Sequence, residues 1–303
     1  MQNGARPFLK WAGGKAQLLA EFKKRFPPEL KKGRLVKYVE PFIGGGAVFF
    51  YLNQRFRFEE CTLCDVNEEL ILAYRVIKRS LPRLTQELVG LSEEYIRNDP
   101  DGRKNFYYRI RDEFNRELPA INFRTYNARW IHRAAQIIFL NRTCYNGLFR
   151  VNQNGGFNVP PGKYSSPDIV NAENLAEVSV LLKNTRIIRD DFSACGKFAD
   201  EETFVYLDPP YRPLNPTSSF TSYSRQGFSD SEQRRLAEFF RMLDRKGAKV
   251  MLSNSDPGNE DPDDSFFEEL YRGYSICRVP AKRMINCNGT RRGEITELII
   301  TNY

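Results

Sequence analysis

The chain has 303 residues, 41% of them hydrophobic, and a formal net charge of +8. This length and composition predict one large domain or two modest ones with a sizeable core. No apolar stretch approaches the ~20 residues that span a bilayer, and the first residues lack the apolar segment of a signal peptide. We therefore expect a cytoplasmic protein whose six cysteines are reduced thiols.

The positive charge is concentrated in one part of the chain. Residues 70–165 contain sixteen Lys and Arg residues against eight Asp and Glu residues, an excess that equals the whole net charge. A basic segment is typical of proteins that bind a polyanion, most often nucleic acid. A solvated basic surface without such a partner gives the same count, so charge alone leaves both readings open.

Short β-branched or aromatic runs alternate with helical patterns at both ends of the chain. The predicted strands are Leu35–Val39, Cys61–Cys64, Arg186–Arg189, Thr203–Leu207, Ala248–Ser253, Tyr274–Val279 and Glu297–Thr301. Helical patterns cover Gln17–Phe26, Ala47–Gln54 and Glu232–Leu243. This alternation predicts an α/β fold with a doubly wound, mostly parallel sheet.

Residues 70–181 do not alternate in this way. They are mainly helical in pattern and rich in Arg, Tyr and Phe, with helical segments at Phe106–Phe114 and Trp130–Leu140. We expect them to form a separate module inserted between the second and third strands. Residues 1–69 and 182–303 would then form the domain that contains the sheet. Near the end of the module, two β-like arms predict a hairpin at about 145–161.

The motif Asp208-Pro209-Pro210-Tyr211 follows the predicted buried strand Thr203–Leu207. The two prolines end the sheet and hold the backbone extended. A carboxylate, a proline carbonyl and an aromatic ring are thus fixed at the carboxyl end of a strand, where open α/β sheets bind ligands. Two acceptors beside a stacking face suit a planar heterocycle with an amino group. The alternative is an Asp-Pro turn with a core tyrosine.

A glycine-rich turn, residues 40–46, follows the first predicted strand and leads into a helix. Glycines let backbone approach a ligand closely, but the spacing matches neither a dinucleotide nor a triphosphate motif. Asp65 ends the second strand about twenty residues later, where an acid pairs with ribose hydroxyls in such sheets. Together these features indicate a nucleoside-containing cofactor without a pyrophosphate. A tight turn and an ordinary strand-end aspartate are the alternative.

The run Phe8–Lys15 combines a tryptophan, paired glycines and a lysine just before a helix. Backbone amides and an ammonium group in such a corner suit a carboxylate ligand. A surface turn with Trp11 in the core would explain the run equally well.

Cys61 and Cys64 form a lone C-x-x-C pair inside a strand-like run. A structural zinc site usually needs four ligands, and the single histidine, His132, does not complete the set. We therefore expect no metal.

Several motifs, in this order, resemble those of the Dam-like DNA adenine methyltransferases. They are Lys-Trp-Ala-Gly-Gly-Lys (10–15), Glu-Pro-Phe-Ile-Gly-Gly-Gly (40–46), Asp65-Val-Asn67, Tyr145–Asn152 with Phe157–Pro160, and Asp-Pro-Pro-Tyr (208–211). The resemblance extends from residue 8 to Tyr303. The motif order is that of the alpha group of amino-methyltransferases, so it implies a Rossmann-like methyltransferase fold with seven strands and an inserted recognition domain.

The resemblance implies that S-adenosylmethionine is the cofactor. Lys15 would lie near its carboxylate, Glu40 to Gly46 around its methionine and sulfonium side, and Asp65 at the ribose hydroxyls. Asp191 and Phe192, after the third strand, would contact its adenine ring. The cofactor-binding residues implied are Trp11, Ala12, Gly13, Gly14, Lys15, Glu40, Pro41, Phe42, Gly44, Gly46, Asp65, Asp191, Phe192 and Asp208.

The resemblance also implies the reaction and its substrate, the N6 amine of an adenine flipped out of duplex DNA within the site GATC. Asp208 and the Pro209 carbonyl would accept the amine hydrogens, and Tyr211 would stack on the base, with Pro210 completing the catalytic motif. Positions that match DNA contacts of the family are Lys10, Tyr145, Asn146, Leu148, Arg150 and Pro160. The chain departs from the family at Phe149 and Lys163, where relatives vary or carry other basic residues.

Alternatives and partners remain open at this point. A methyltransferase of RNA or of a protein glutamine amide would use a similar acid-or-amide Pro-Pro-Tyr corner, and a DNA-binding module with a vestigial sheet is a third reading. The basic module and the hairpin favour duplex DNA. We expect a monomer, associated with the nucleoid through DNA, and a cognate restriction endonuclease is an open question.

Overall fold

The computed structural model describes residues 4–11, 13–212, 228–281 and 295–303. They contain one seven-stranded sheet with the order β3-β2-β1-β4-β5-β7-β6. Its strands are β1 (Lys37–Glu40), β2 (Glu60–Asp65), β3 (Thr185–Arg189), β4 (Thr203–Leu207), β5 (Lys249–Ser255), β6 (Ser275–Ala281) and β7 (Ile295–Thr301).

Strand β1 pairs in parallel with β2 and β4, and β4 pairs in parallel with β5. Strand β7 runs antiparallel to both β5 and β6. Each of the seven predicted strands overlaps an observed one. The predicted α/β class and mostly parallel seven-stranded sheet are therefore confirmed.

Nine α-helices lie within the described residues. They are α1 (Leu19–Arg25), α2 (Pro28–Lys31), α3 (Ala47–Asn53), α4 (Glu68–Arg97), α5 (Pro100–Glu117), α6 (Arg129–Thr143), α7 (Ala172–Leu182), α8 (Asp230–Arg245) and α9 (Phe266–Leu270). A short 3₁₀ helix, Lys15–Leu18, precedes α1, so the predicted helix Gln17–Phe26 is divided between two elements. The predicted module contains α4 to α7, as its helical pattern indicates.

Helix α4 is broken at Ser80, whose φ of −142° and ψ of 37° are not helical. The break lies two residues before Pro82. A proline has no N–H to donate and its ring collides with the carbonyl four residues earlier, so the helix bends just before it. The Ser80 hydroxyl accepts a hydrogen bond from Tyr126 at 2.6 Å.

The chain divides into two compact units. Unit 1 contains Met1–Gly14, Gly44–Gln54 and Asp65–Arg189, and unit 2 contains Lys15–Ile43, Arg55–Cys64 and Asp190–Tyr303. The predicted module, residues 70–181, falls wholly inside unit 1. Its separation as a recognition domain from a catalytic domain stays a prediction.

Unit 2 is built around β4, all five residues of which are buried. Phe22 and Phe26 pack against the rings of Tyr206 and Phe204 on this strand, with centroids 5.5 Å and 6.0 Å apart. Such aromatic contacts fix the strand and hence the residue that follows it.

Unit 1 is held by a buried ion pair between α4 and α6. The Arg133 guanidinium donates to both carboxylate oxygens of Glu69 and also to the Phe114 carbonyl. Arg133 is only 1% exposed, so the pair satisfies charges that would otherwise be costly to bury.

No helix within the described part of the chain is long and apolar enough to cross a membrane. Cys61 and Cys64 are both buried free thiols on β2. Because they are three residues apart on a strand, their side chains point to opposite faces of the sheet, which argues against a shared metal ligand set.

Candidate active site and nucleic-acid interface

Asp208 directly follows the buried strand β4, as the sequence predicts. Its side chain is 19% exposed, and its carboxylate Oδ1 lies 2.8 Å from the Lys15 ammonium, which is 6% exposed. Burial raises the pKa of Asp208, and the nearby positive charge of Lys15 opposes that rise. The ion pair therefore stabilises the ionised form of the carboxylate against the effect of burial.

A hydroxyl relay supports the same carboxylate from β5. Ser253 Oγ donates to Asp208 Oδ1 at 3.2 Å, and the hydroxyls of Ser253 and Tyr206 are 2.8 Å apart. Since Ser253 gives its proton to Asp208, Tyr206 is the donor to Ser253. Both Asp208 contacts involve Oδ1, so the motif presents a carboxylate oriented by neighbours on two elements.

Tyr211 lies in the same cluster. The Lys15 ammonium lies 4.6 Å from the centroid of the Tyr211 ring. The Tyr211 hydroxyl donates a hydrogen bond to Glu297 on β7. Pro209 is buried, whereas Pro210 is exposed and its carbonyl accepts from Gln233 at 3.4 Å. Unit 2 thus brings Lys15, Asp208 and Tyr211 together. Their roles stay predictions, and the carboxylate that Lys15 contacts is that of Asp208 rather than that of a cofactor.

A second cluster of unit 2 contains Asp191 and Phe192. Arg235 on α8 makes two hydrogen bonds to the Asp191 carboxylate, at 2.7 and 2.8 Å, and holds its pKa well below the usual range. The Phe192 ring is buried, 5.4 Å from the ring of Phe42, and the Arg235 guanidinium lies 4.2 Å from its centroid. The predicted adenine-binding pair is therefore a charged and aromatic corner.

Glu40 and Pro41 at the end of β1 are buried in unit 2. The Glu40 carboxylate, 2% exposed, accepts a hydrogen bond from the Tyr38 hydroxyl at 2.7 Å. Glu40 is thus a buried acid at the carboxyl edge of the sheet, next in the chain to the glycine-rich turn.

In unit 1, Asp65 at the end of β2 receives two backbone hydrogen bonds. The Gly44 N–H donates to Oδ2 at 3.1 Å, and the Asn67 N–H donates to Oδ1 at 2.9 Å. Burial raises the pKa of Asp65 to about 6, although these hydrogen bonds oppose the shift. The glycine-rich turn and the predicted ribose-binding acid are therefore in direct contact.

The glycine-rich turn needs glycine at two positions. Gly44 and Gly46 have φ of 47° and 74°, which side-chain-bearing residues rarely adopt. A Cβ on Gly44 would lie 3.0 Å from Trp11 Cδ1, and one on Gly46 would lie 2.5 Å from the Tyr74 hydroxyl. The turn is thus packed closely against Trp11. Gly13 and Gly14 are exposed, and Ala12 lies outside the described residues.

The predicted hairpin is present in unit 1 as two antiparallel arms joined by isolated bridges, Cys144 to Pro161 and Val151 to Phe157. Between the bridges, the Asn158 N–H donates to the Arg150 carbonyl at 3.1 Å. The arms do not form continuous strands.

The hairpin has a buried apolar side and an exposed polar side. Phe149, Phe157 and Val159 are buried, and the Trp11 ring stacks on Phe149 with centroids 5.3 Å apart. Leu148 is half-buried. The other predicted DNA-contacting residues are exposed, namely Lys10, Tyr145, Asn146, Arg150 and Pro160. An exposed set of this kind on a packed scaffold is suited to contact a ligand surface.

Two predicted DNA-contacting side chains are oriented by neighbours. The Arg150 guanidinium donates to Asn158 Oδ1 at 2.8 Å, and the Lys10 ammonium lies 4.9 Å from the ring centroid of Tyr164. Asn146 has a φ of 56°, a left-handed conformation that asparagine tolerates better than most residues.

Among the described residues, one group of metal-ligand type side chains converges, Glu113, Glu117 and His132. The His132 ring also contacts Glu87 at 3.2 Å and Glu113 at 3.3 Å. Burial lowers the pKa of His132, but these hydrogen bonds outweigh it and raise the pKa above the ordinary value. The prediction that the protein needs no metal stays a prediction.

The model of a family described as D12 class N6 adenine-specific DNA methyltransferase matches residues 11–285. The chain belongs to this family. The predicted resemblance to DNA adenine methyltransferases, and the prediction that the protein is a methyltransferase enzyme, are confirmed.

Three relatives match this chain over nearly their whole length. The type II methyltransferase M.MjaIII of Methanocaldococcus jannaschii is 51% identical over 299 residues, which cover 98% of this chain and 99% of that protein. The type II methyltransferase M1.LlaDCHI of Lactococcus lactis subsp. cremoris is 38% identical, with 98% and 95% covered. The DNA adenine methylase of Escherichia coli K12 is 34% identical, with 97% and 94% covered.

Sequence reasoning missed Asn141 in this D12 class methyltransferase. Its side chain, 1% exposed on α6, accepts from the Lys10 N–H at 2.8 Å and donates to the carbonyls of Lys10 and Gly147, each at 2.9 Å. One amide thus ties the first motif of the chain to the start of the hairpin. The asparagine itself carries no periodic or motif signal.

We expect Asn141→Ala to lower the free energy of unfolding by about 2–3 kcal/mol, because it removes the amide partner of the Lys10 N–H and carbonyl and of the buried Gly147 carbonyl. Urea unfolding followed by circular dichroism measures the change. Asn105→Ala, which alters an exposed residue of α5, is the matched control and should stay within about 0.5 kcal/mol of wild type. Equal effects of both substitutions would contradict this role for Asn141.

Proposed function

We propose that the protein transfers the methyl group of S-adenosylmethionine to the N6 amine of a flipped adenine in duplex DNA, within the site GATC. The observation that carries the proposal is the Asp208 carboxylate, ionically paired with Lys15 beside the Tyr211 ring at the end of β4. Membership of the D12 class supports the substrate atom.

The residues present fit the proposed cofactor. A partly buried acid, Asp65, holds the N–H of Gly44 in a turn where a Cβ at residue 44 or 46 would collide with neighbours. This arrangement suits a ribose whose two hydroxyls lie at the acid while the sugar lies close to the backbone of the turn. The ammonium of Lys15 suits a carboxylate, and the ring of Phe192 with the acid of Asp191 suits an adenine. Trp11, Glu40 and Phe42 complete the proposed set.

When bound, S-adenosylmethionine supplies an electrophilic methyl group on a sulfonium. The chain's own contribution is to prepare the amine. Asp208 and the Pro209 carbonyl each accept one amine hydrogen, which favours a pyramidal nitrogen with a localised lone pair. Because Lys15 and Ser253 both contact Oδ1, we assign the amine hydrogen to Oδ2 of Asp208. Positioning and electrostatics then provide most of the rate enhancement.

A base inside a duplex is out of reach, so the adenine must leave the stack at a cost of a few kcal/mol. Stacking on the Tyr211 ring offsets ~1–3 kcal/mol of that cost. The polar, serine-rich sequence Arg212–Phe228 follows the motif and predicts a loop that closes over the site. Residues 213–227 lie outside the described residues. Its described ends are anchored, since Arg212 pairs with Asp230 and Asp264, and Phe228 packs on Phe42.

The exposed residues of the hairpin and Lys10 are proposed to read the DNA. Arg150 is suited to the acceptor edge of a guanine, because its guanidinium is held by Asn158 in an exposed position. The assignment of GATC rests on the resemblance of the hairpin to that of Dam-like enzymes. Mapping methylated adenines on a random-sequence plasmid tests the site. By analogy with relatives named type II methyltransferases, we also propose a role in restriction-modification, as a monomer.

We expect Asp208→Ala to lower the rate of methyl transfer to DNA by about 10²–10³-fold or more, because the amine loses its charged acceptor. Duplex binding should remain within about twofold of wild type, since no hairpin residue changes. Transfer of a tritiated methyl group and fluorescence anisotropy of labelled duplex measure the two quantities.

Asp200→Ala is the matched control for this experiment. It also removes an aspartate paired with a lysine of unit 2, Lys37, and should leave transfer unchanged. Near-normal transfer by Asp208→Ala would exclude the proposed role of the Asp-Pro-Pro-Tyr motif.

Affinity for S-adenosylmethionine should fall about tenfold for each pH unit below 6. The folded protein without ligand holds a proton on Asp65 up to a pH of about 6, whereas ribose hydroxyls donate to the ionised form, so binding must release that proton. Calorimetry between pH 5 and 8 measures the affinity and the released proton. Asp65→Asn should weaken binding at pH 8 and flatten this dependence, and a pH-dependence that survives in this variant would refute the assignment.

We expect Arg150→Ala to reduce discrimination at one base pair of the site by about 1–3 kcal/mol. Competition between the cognate duplex and duplexes with single base-pair changes measures the loss. Arg97→Ala is the control, because Arg97 is an exposed arginine of α4 outside the hairpin and should not alter base preference. If the base preference of the Arg150 variant is unchanged, the hairpin arginine does not read a base.

A further inference from the structure

We propose that Glu297 is a positioning residue for methyl transfer, because its carboxylate holds the Tyr211 hydroxyl and thereby fixes the plane of the ring on which the target base stacks. The inference rests on the proposed function and adds to it a residue from a distant strand. Neither the Asp-Pro-Pro-Tyr motif nor any other motif of the chain includes Glu297.

The sheet topology explains how Glu297 reaches this corner. Strands β4 and β5 run in parallel, so their carboxyl ends share one edge of the sheet. Strand β7 is antiparallel to β5, with Glu297 opposite Ser255. The beginning of β7 therefore lies at the edge where β4 and β5 end, and a residue 86 positions after Tyr211 meets it.

The Tyr211 side chain needs such a partner. The two preceding prolines restrict the backbone but leave the ring free to rotate about its own side-chain bonds. Within the described residues, the ring is held from two directions. Lys15 lies over its face at 4.6 Å, and Glu297 accepts the hydrogen bond of its hydroxyl at the ring's far end.

Glu297 is half-buried and belongs to the same electrostatic cluster as Asp208. Burial raises its pKa, and the charge of Lys15 and the Tyr211 hydrogen bond oppose that rise. Its carboxylate accepts a hydrogen bond from the tyrosine hydroxyl, which is not one of the atoms that would react. We therefore expect it to act through Tyr211, so that its loss should change the placement of the base more than the affinity for the cofactor.

The test compares Glu297→Ala, Glu297→Gln and Tyr211→Phe in the full-length protein. We expect Glu297→Ala and Tyr211→Phe each to lower kcat about tenfold, since small misplacement of a reacting group slows transfer strongly. KM for DNA and the Kd for S-adenosylmethionine should change less than about twofold. Glu297→Gln should restore most of the activity, because an amide oxygen also accepts from the tyrosine hydroxyl.

Two further measurements separate positioning from a general structural effect. The double variant Glu297→Ala with Tyr211→Phe should be no slower than either single variant, as expected for two groups that act through one contact. In duplexes with 2-aminopurine at the target position, both single variants should reduce the fluorescence rise that reports a flipped base. This readout does not depend on methyl transfer.

Tyr274→Phe is the matched control. It also removes a tyrosine–carboxylate hydrogen bond of unit 2, from Tyr274 to Asp244 at 3.0 Å, and should leave kcat and the 2-aminopurine signal unchanged. If Glu297→Ala does not fold, Tyr211→Phe and Glu297→Gln still carry the test, because both keep the volume of the side chain.

Several results would overturn the inference. One is an unchanged kcat in Glu297→Ala, and another is additive losses in the double variant. A third is a Glu297→Gln variant as slow as Glu297→Ala, because that would show that the charge of Glu297 matters and not its hydrogen bond. If the wild-type protein transfers no methyl group to DNA, the proposed function is rejected instead. The 2-aminopurine signal would still report on the contact between Tyr211 and Glu297.

Discussion

The proposed methyl transfer depends on an ionised carboxylate at the end of a strand that is entirely buried. Burial raises the pKa of Asp208, and a protonated acid accepts an amine hydrogen poorly. Two residues oppose this effect of burial. Lys15, just before α1, and Ser253 on β5 both contact Oδ1 of the Asp208 carboxylate. The orientation of the other oxygen follows from those contacts, which makes the corner preorganised before any substrate arrives.

The three candidate acids Asp65, Asp191 and Asp208 are held in different ways, and the pKa of each is shifted according to its own surroundings. Asp208 has an ammonium partner within a mostly buried setting. Asp65 has only backbone N–H donors, so burial dominates and its pKa is about 6. Asp191 is more exposed and has two hydrogen bonds from Arg235, so its pKa is depressed. The same residue type can therefore accept an amine, bind a diol or anchor an aromatic corner, according to the donors around it.

Much of this architecture could be predicted from the sequence. The strands appear as short apolar runs because each is buried in a sheet, and the motifs stand at strand ends because glycine, proline and acidic residues are needed there. What escaped prediction was the partner of each motif residue. Arg235, Asn141 and Glu297 lie far along the chain from the groups they hold, and no local pattern distinguishes them from ordinary polar residues. The hairpin was predicted from its turn, but its arms proved to be joined by isolated bridges rather than by strands.

Asn141 and Glu297 illustrate one physical requirement in the two units. A motif supplies a reactive or contacting group, but a short turn does not by itself fix a lysine or a tyrosine side chain, whose rotation costs little. In unit 1 a buried amide from α6 fixes the backbone of Lys10 and of the hairpin at Gly147. In unit 2 a carboxylate from β7 fixes the Tyr211 hydroxyl. Because both partners come from rigid elements of the fold, the precision of the site is a property of the packed core, and substitutions remote from every motif should alter it.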